Sequence, residues 1–197
     1  KMRVKLIEHT PNAEEIVARG FRRCHTKEAS DKLNLEKPVA YYIKKAKKLG
    51  HLSVIEHASF TFSIEDVSRS CTHQLVRHRL ASYSQQSMRY VKLSKLEYED
   101  FVTPESIKEN DAEEEYKELL ESSISTYKKL LEKGVPKEDA RFVLPIASPT
   151  NITVTMNGIE LLHFLDLRLD ESAQWEIREV AKKMLKKIKN VAPTIFS

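Results

Sequence analysis

Three short stretches of this chain alternate apolar and polar residues with a period of two, and unequal runs of helical pattern separate them. Arg3 to Glu8 reads as one strand, Phe60, Phe62 and Ile64 mark a second, and Ile152, Val154 and Met156 a third. A sequence that never repeats a strict strand-helix unit does not build a doubly wound parallel sheet. The expected fold is therefore α+β, a single domain over residues 1–197 with a small, mainly antiparallel sheet flanked by several helices. No glycine- or proline-rich linker divides the chain, and its length allows a substantial core.

Local signals place the helices. Asn12 with Glu15 forms a capping box for a helix running toward Arg23. Pro38 opens a second helix, whose buried stripe is Val39, Tyr42, Ile43, Ala46 and Leu49 and whose left-handed C-terminal residue is Gly50. Asp66 is the expected N-cap of a third, with Val67, Cys71 and Leu75 on its apolar face. Tyr116, Leu119, Leu120, Tyr127, Leu130 and Leu131 mark a long helix closed by Gly134. Pro136 starts another, which contains Arg141 and ends at Pro145. Asn157 with Glu160 forms a second capping box ahead of Leu161 to Leu167. A last helix follows Asp170, with Ile177, Val180, Ala181, Met184, Leu185 and Ile188 on one face.

Charge and cysteine usage narrow the function classes. The net charge of +4 is modest, Glu97 to Glu121 is strongly acidic, and Lys182 to Lys189 is basic. A nucleic-acid-binding helical module, the competing reading, would carry a larger basic surplus without an opposing acidic segment. No apolar run reaches membrane-spanning length and no signal-peptide pattern opens the chain, so a cytoplasmic protein with no membrane partner is expected. Cys24 and Cys71 do not form a metal-type pair and are expected to be reduced. His51 and His57 lack the four-residue spacing and third ligand of a zinc site, so no metal is expected; Glu56 instead orients a loop histidine.

The chemistry concentrates at Arg77-His78-Arg79 and Ser87, where a helix should give way to irregular backbone from Leu80 onward. Gln74 and Arg77, three apart, share a helix face, so an amide able to read a base edge projects beside a phosphate-seeking guanidinium. The Ser, Tyr and Gln residues that follow, up to Arg89, supply hydroxyls and amides suited to a pyrimidine ring and a phosphate. The plainer alternative makes these arginines a solvated helix end offsetting the macrodipole. Ser87 has no base specified nearby, which favours a phosphate or base ligand, or a turn-closing serine, over a nucleophile. Neither a glycine-rich dinucleotide fingerprint nor a Walker loop is present.

The stretch Gln74-Leu75-Val76-Arg77-His78-Arg79-Leu80-Ala81-Ser82-Tyr83-Ser84-Gln85-Gln86-Ser87-Met88-Arg89-Tyr90 resembles the signature of the flavin-dependent thymidylate synthases. Leu167 to Ile177 looks like that family's second block and Ala140 to Pro145 like a third, so the similarity extends from about His51 to Ile177. The resemblance implies methylation of deoxyuridine monophosphate to thymidylate, with carbon from methylenetetrahydrofolate, hydride from FAD recharged by NADPH, and no cysteine nucleophile. It also implies a homotetramer whose active sites are shared between subunits. Carried over by position, Ser53, Arg77, His78, Arg79, Gln85, Asn157 and His163 would contact FAD. Gln74, Arg77, Gln85, Gln86, Ser87, Met88, Arg89, Arg141 and Arg168 would surround the nucleotide, with Arg168 the catalytic cation that stabilises negative charge on the pyrimidine. Some members have glutamate at the position of Gln85, and others asparagine at that of His163. With only four glycines in the chain, the flavin would be held by side chains.

Overall fold

The structure, a computed structural model, describes residues 2–29, 32–91 and 95–197. In chain order the elements are β1 (Arg3–His9), α1 (Ala13–Arg23), α2 (Val39–Lys48), β2 (Ser59–Ser68), α3 (Arg69–Leu75), β3 (Ala81–Gln85), α4 (Glu105–Glu109), α5 (Glu113–Glu132), α6 (Lys137–Ala140), β4 (Pro149–Asn157), α7 (Gly158–Leu169) and α8 (Trp175–Ile188). A 3-10 segment at Leu52–His57 leads into β2, and another at Arg141–Val143 follows α6. The four strands form one antiparallel sheet in the order β1-β2-β4-β3. This is the α+β architecture that the strand and helix patterns predict.

One face of the sheet is apolar and fully covered. Phe60, Phe62, Ile64, Ile152, Val154 and Met156 point into a core shared with α1, α2, α7 and α8. Alternate residues, Thr61, Ser63, Thr153 and Thr155, lie on the other face, where the Thr61 and Thr155 hydroxyls bond across the strands at 2.9 Å. A smaller cluster of Leu96, Phe101, Leu120 and Ile124 packs beneath α5. The chain end is drawn back to the start: Ala192, Ile195 and Phe196 are buried in the main core, with Phe196 edge-on to Phe60. Glu14 of α1 accepts from the backbone N–H groups of Thr194 and Ile195, and Lys47 of α2 donates to the carbonyls of both residues.

Several local expectations are corrected. Asp66 does not cap α3. It sits inside β2 with a positive φ of 57°, at an irregularity in the pairing between Ile64 and Val67, and its N–H donates to Asn151 Oδ1. The strand continues through Val67 and Ser68, which remain paired with Thr150 and Pro149, so Val67 is a strand residue. Ser68 is the cap, its Oγ accepting from the Cys71 N–H at 2.9 Å. Ser68 is fixed in turn by the buried Glu176 of α8, which accepts from both its N–H and its hydroxyl. Irregular backbone after Leu80 was the expectation; Ala81 to Gln85 is instead an edge strand on β4. Its alternation of Ala81, Tyr83 and Gln85 with Ser82 and Ser84 is regular but too polar to register as a hydrophobic period.

Asn12 does not form a capping box, since it adopts a left-handed conformation and makes no side-chain cap bond. Leu49 and Leu119, expected on buried stripes, are exposed. Arg141 lies just beyond α6, in the 3-10 segment. Gly50 and Gly134, by contrast, have the positive φ values that their positions after α2 and α5 require.

Candidate active site

At the C-terminal end of α3, the chain turns and inserts His78 inward while leaving Arg77 and Arg79 exposed on either side. The imidazole is only 4% exposed and rests edge-on against Phe164 of α7. Its Nδ1 lies 3.4 Å from Oε1 of Glu160, itself buried in the first turn of α7. Its Nε2 lies 3.0 Å from Nε of Arg168, in the last turn of the same helix. Arg168 Nη2 also donates to the Gln74 carbonyl, so the end of α7 is tied to the end of α3. Burial, then the charge of Arg168, then His163 depress the His78 pKa to about 4. The imidazole is therefore neutral at pH 7.

Asn157 explains why Glu160 is available. The Asn157 Oδ1 accepts from the Glu160 N–H at 2.9 Å, the forward half of the expected capping box. The reciprocal half is not made, because the Glu160 carboxylate turns toward His78. Tyr83, on the inward face of β3, donates its hydroxyl to the carbonyls of His78 and Leu75 and fixes the same turn from below. Burial and the nearby Glu160 push the Tyr83 pKa up to about 12, so it stays a donor.

A second group gathers at the other end of α3. Arg69 is half-buried and its Nη2 donates to the Gln86 carbonyl, while its Nε is buried without a hydrogen-bond partner. Its pKa is lowered, by burial first and then by the like charge of Arg141. Arg141 Nε bonds the Glu138 carbonyl, and Arg89 Nε pairs with the Glu138 carboxylate at 2.8 Å. Arg89 and Arg141 thus meet at Glu138, one on its carboxylate and one on its backbone carbonyl, and Arg141 lies close enough to Arg69 to repel its charge. Ser87 stands beside them, accepting from the Arg89 N–H at 3.2 Å, and Met88 is buried next to it. Two like charges held together with an unsatisfied donor favour an incoming anion, which would relieve the repulsion and complete the bonding.

Gln85 and Gln86 are committed to the scaffold between these ends. Gln85 Nε2 donates to the hydroxyls of Thr72 and Thr150, and Gln86 Oε1 accepts from Asn151 Nδ2. α3 is seven residues long. Its first and last residues therefore stand about 9 Å apart along the axis, comparable with the span from phosphate to base edge of a nucleoside monophosphate. Among the described residues Arg77 and Arg79 form no ion pair, and of the other expected flavin contacts Ser53 and His163 are exposed, Gln85 and Asn157 half-buried and His78 buried. An exposed pair of cations, with the His163 imidazole beside the His78 ring between them, suits a diphosphate-bearing cofactor held by side chains. Ser53 lies in the 3-10 segment whose Ile55 packs on Gly158 at the start of α7.

Arg69 and Glu160 escape the sequence reading. Arg69 is eight positions from Arg77 on another helix face, and only the antiparallel return of β3 brings it beside Gln86. Glu160 reads locally as a capping residue. Both cysteines are free, and Cys71 is buried, with burial and Glu176 pushing its thiol pKa up.

Comparison with known proteins places this arrangement. Residues 5–194 match the family described as thymidylate synthase complementing protein. A flavin-dependent thymidylate synthase of Geobacter sulfurreducens is 48% identical over 99% of this chain and 85% of its own length. One from Pyrococcus furiosus is 54% identical over 78% of this chain and 64% of its own. The fold is also that of a UMP/dUMP methylase from Streptomyces cacaoi, solved with 5-Br dUMP bound. That match has a TM-score of 0.84 at 22% identity and covers 100% of this chain and 93% of that one. A family match over nearly the whole chain, with a relative 48% identical over 85% of its own length, shows that this chain belongs to the flavin-dependent thymidylate synthases.

Proposed function

We propose that the protein methylates deoxyuridine monophosphate to thymidylate, with methylenetetrahydrofolate as carbon donor and FAD, recharged by NADPH, as its flavin. The observation behind the placement of substrate is the pair of polar groups at the two ends of α3. The cationic group of Arg69, Arg89 and Arg141, with Ser87, receives the 5′-phosphate, displacing Glu138 from Arg89. Gln74 and Arg168 face the pyrimidine from the other end.

The bound flavin supplies the reducing hydride. Arg77 and Arg79 provide exposed positive charge for its diphosphate, while Ser53, Asn157 and His163 lie on elements that flank α7 or belong to it. Arg168 carries a guanidinium and is half-buried, so its attraction for charge developing on the base exceeds what water would allow. The reading dispenses with a thiol nucleophile, in keeping with a buried Cys71 whose pKa is raised and a Cys24 hydrogen-bonded to the Gly20 carbonyl. Residues 1–197 act as one catalytic domain, working as a homotetramer in the cytoplasm.

Arg168→Ala tests the assignment. Thymidylate formation should fall about a hundredfold or more, while FAD released on denaturation stays equimolar with the chain. Near-normal turnover in the folded variant would remove Arg168 from the chemistry. Wild-type protein that neither carries nor takes up FAD would sink the proposal as a whole.

A further inference from the structure

We infer that Glu160 is a positioning residue for the reaction, holding His78 in a single tautomer so that His78 in turn orients the Arg168 guanidinium. The inference rests on the role given to Arg168 above. A guanidinium N–H can only donate, so at 3.0 Å from Arg168 Nε the His78 Nε2 must be the lone-pair nitrogen. The ring proton then sits on Nδ1, which lies 3.4 Å from Glu160 Oε1. With 5% and 4% exposure, neither Glu160 nor His78 has water to take the place of the other.

The result is a carboxylate, a neutral imidazole and a guanidinium in line. The depressed pKa of His78 keeps the middle member neutral. The line uses Nε of Arg168, and the Gln74 carbonyl uses Nη2, so the guanidinium plane is fixed from two directions and its remaining edge faces outward. Without an acceptor at Glu160, Nδ1–H would be a buried donor with no partner. The imidazole would then relieve that cost by moving its proton to Nε2. Donor would meet donor at Arg168, and the guanidinium would swing away.

The surroundings leave Glu160 no other evident duty. The helix N-terminus it belongs to is already capped by Asn157, and its own N–H is satisfied there. Phe164 and His163 border the ring edge-on, at centroid distances of 4.9 and 5.8 Å.

The test compares Glu160→Ala and Glu160→Gln in the FAD-loaded protein at neutral pH, with ring tautomers read by nitrogen-15 NMR of histidine-labelled chain. The glutamine amide oxygen can still accept from Nδ1. In wild type and Glu160→Gln, His78 should show a protonated Nδ1 and kcat should agree within about threefold. Glu160→Ala should lose that signature, and its kcat should fall about tenfold to a hundredfold, the scale on which small misplacements act. Its bound FAD and KM for the nucleotide should change little. A wild-type spectrum with the proton on Nε2, or an alanine variant that keeps both the Nδ1–H signature and its kcat, would overturn the inference. If Glu160→Ala fails to fold, the wild-type spectrum and the glutamine variant still decide. Wild-type protein with the expected tautomer but no thymidylate activity would overturn the proposed function and leave the local geometry standing.

Discussion

At the scale of single residues, His78 links stability to pH in a direction set by its burial. Its pKa in the folded protein is about 4, below the ordinary 6.5, so between those values the unfolded chain binds a proton that the folded one refuses. This contribution to stability is full above pH 6.5, declines as pH falls, and levels off below about 4. Its slope approaches 1.4 kcal/mol per pH unit inside the window. Thermal melts between pH 6.5 and 5 should show a steeper loss for wild type than for His78→Gln. Parallel curves would mean that the ring titrates normally. Arg-His-Arg was legible in the sequence as a functional cluster, yet sequence alone could not show that its middle member points inward. That depends on Glu160 and Arg168, at opposite ends of a helix some eighty residues or more away.

Among the elements, the contact between the Leu52–His57 segment and α7 is the least tolerant of change. A Cβ at Gly158 would lie 2.7 Å from the Ile55 carbonyl oxygen and from its Cγ2, so backbone must move to admit it. Gly158→Ala should cost about 1–3 kcal/mol of stability and weaken FAD retention, because the segment that shifts carries Ser53. Denaturant melts and flavin absorbance after gel filtration read the two effects. An alanine variant with unchanged melts and flavin content would show that the close approach is slack.

The same scale shows why some elements were legible and others not. β2 and β4 declared themselves through Phe60, Phe62, Ile64, Ile152, Val154 and Met156, because burying one face imposes a hydrophobic period of two. β3 has Ser82 and Ser84 outward and Gln85 inward, and its pairing is decided by β4 alone. Asp66 has a cap-forming side chain that points to an earlier start for α3, whereas the ladder to Thr150 and Pro149 keeps the backbone extended to Ser68. Tertiary pairing overrode local propensity there.

For the whole molecule, the exposed apolar residues bear on assembly. Leu80 and Tyr90 flank the signature strand and are 70% and 77% exposed, and Phe142, beside Arg141, is 82% exposed. Under the proposed shared sites, a subunit with Arg168→Ala mixed with one altered at Ser53 should recover part of the activity lost by each alone. FAD should also stabilise the assembled form by mass action. Mixtures no more active than their parents would confine each site to a single chain.

The bonds between Glu14 and Thr194 and Ile195 join residues 180 and 181 positions apart. At translation rates of roughly 5–20 residues per second, Glu14 is made about nine to thirty-six seconds before its partners. Throughout that time the pocket that Phe196 fills beside Phe60 stays open, and α1 and α2 lack the segment that spans them. Folding therefore cannot run to completion from the N-terminal elements alone. The core is finished only once residues 192–196 have been made, and until then the chain presents an apolar surface for chaperones to cover.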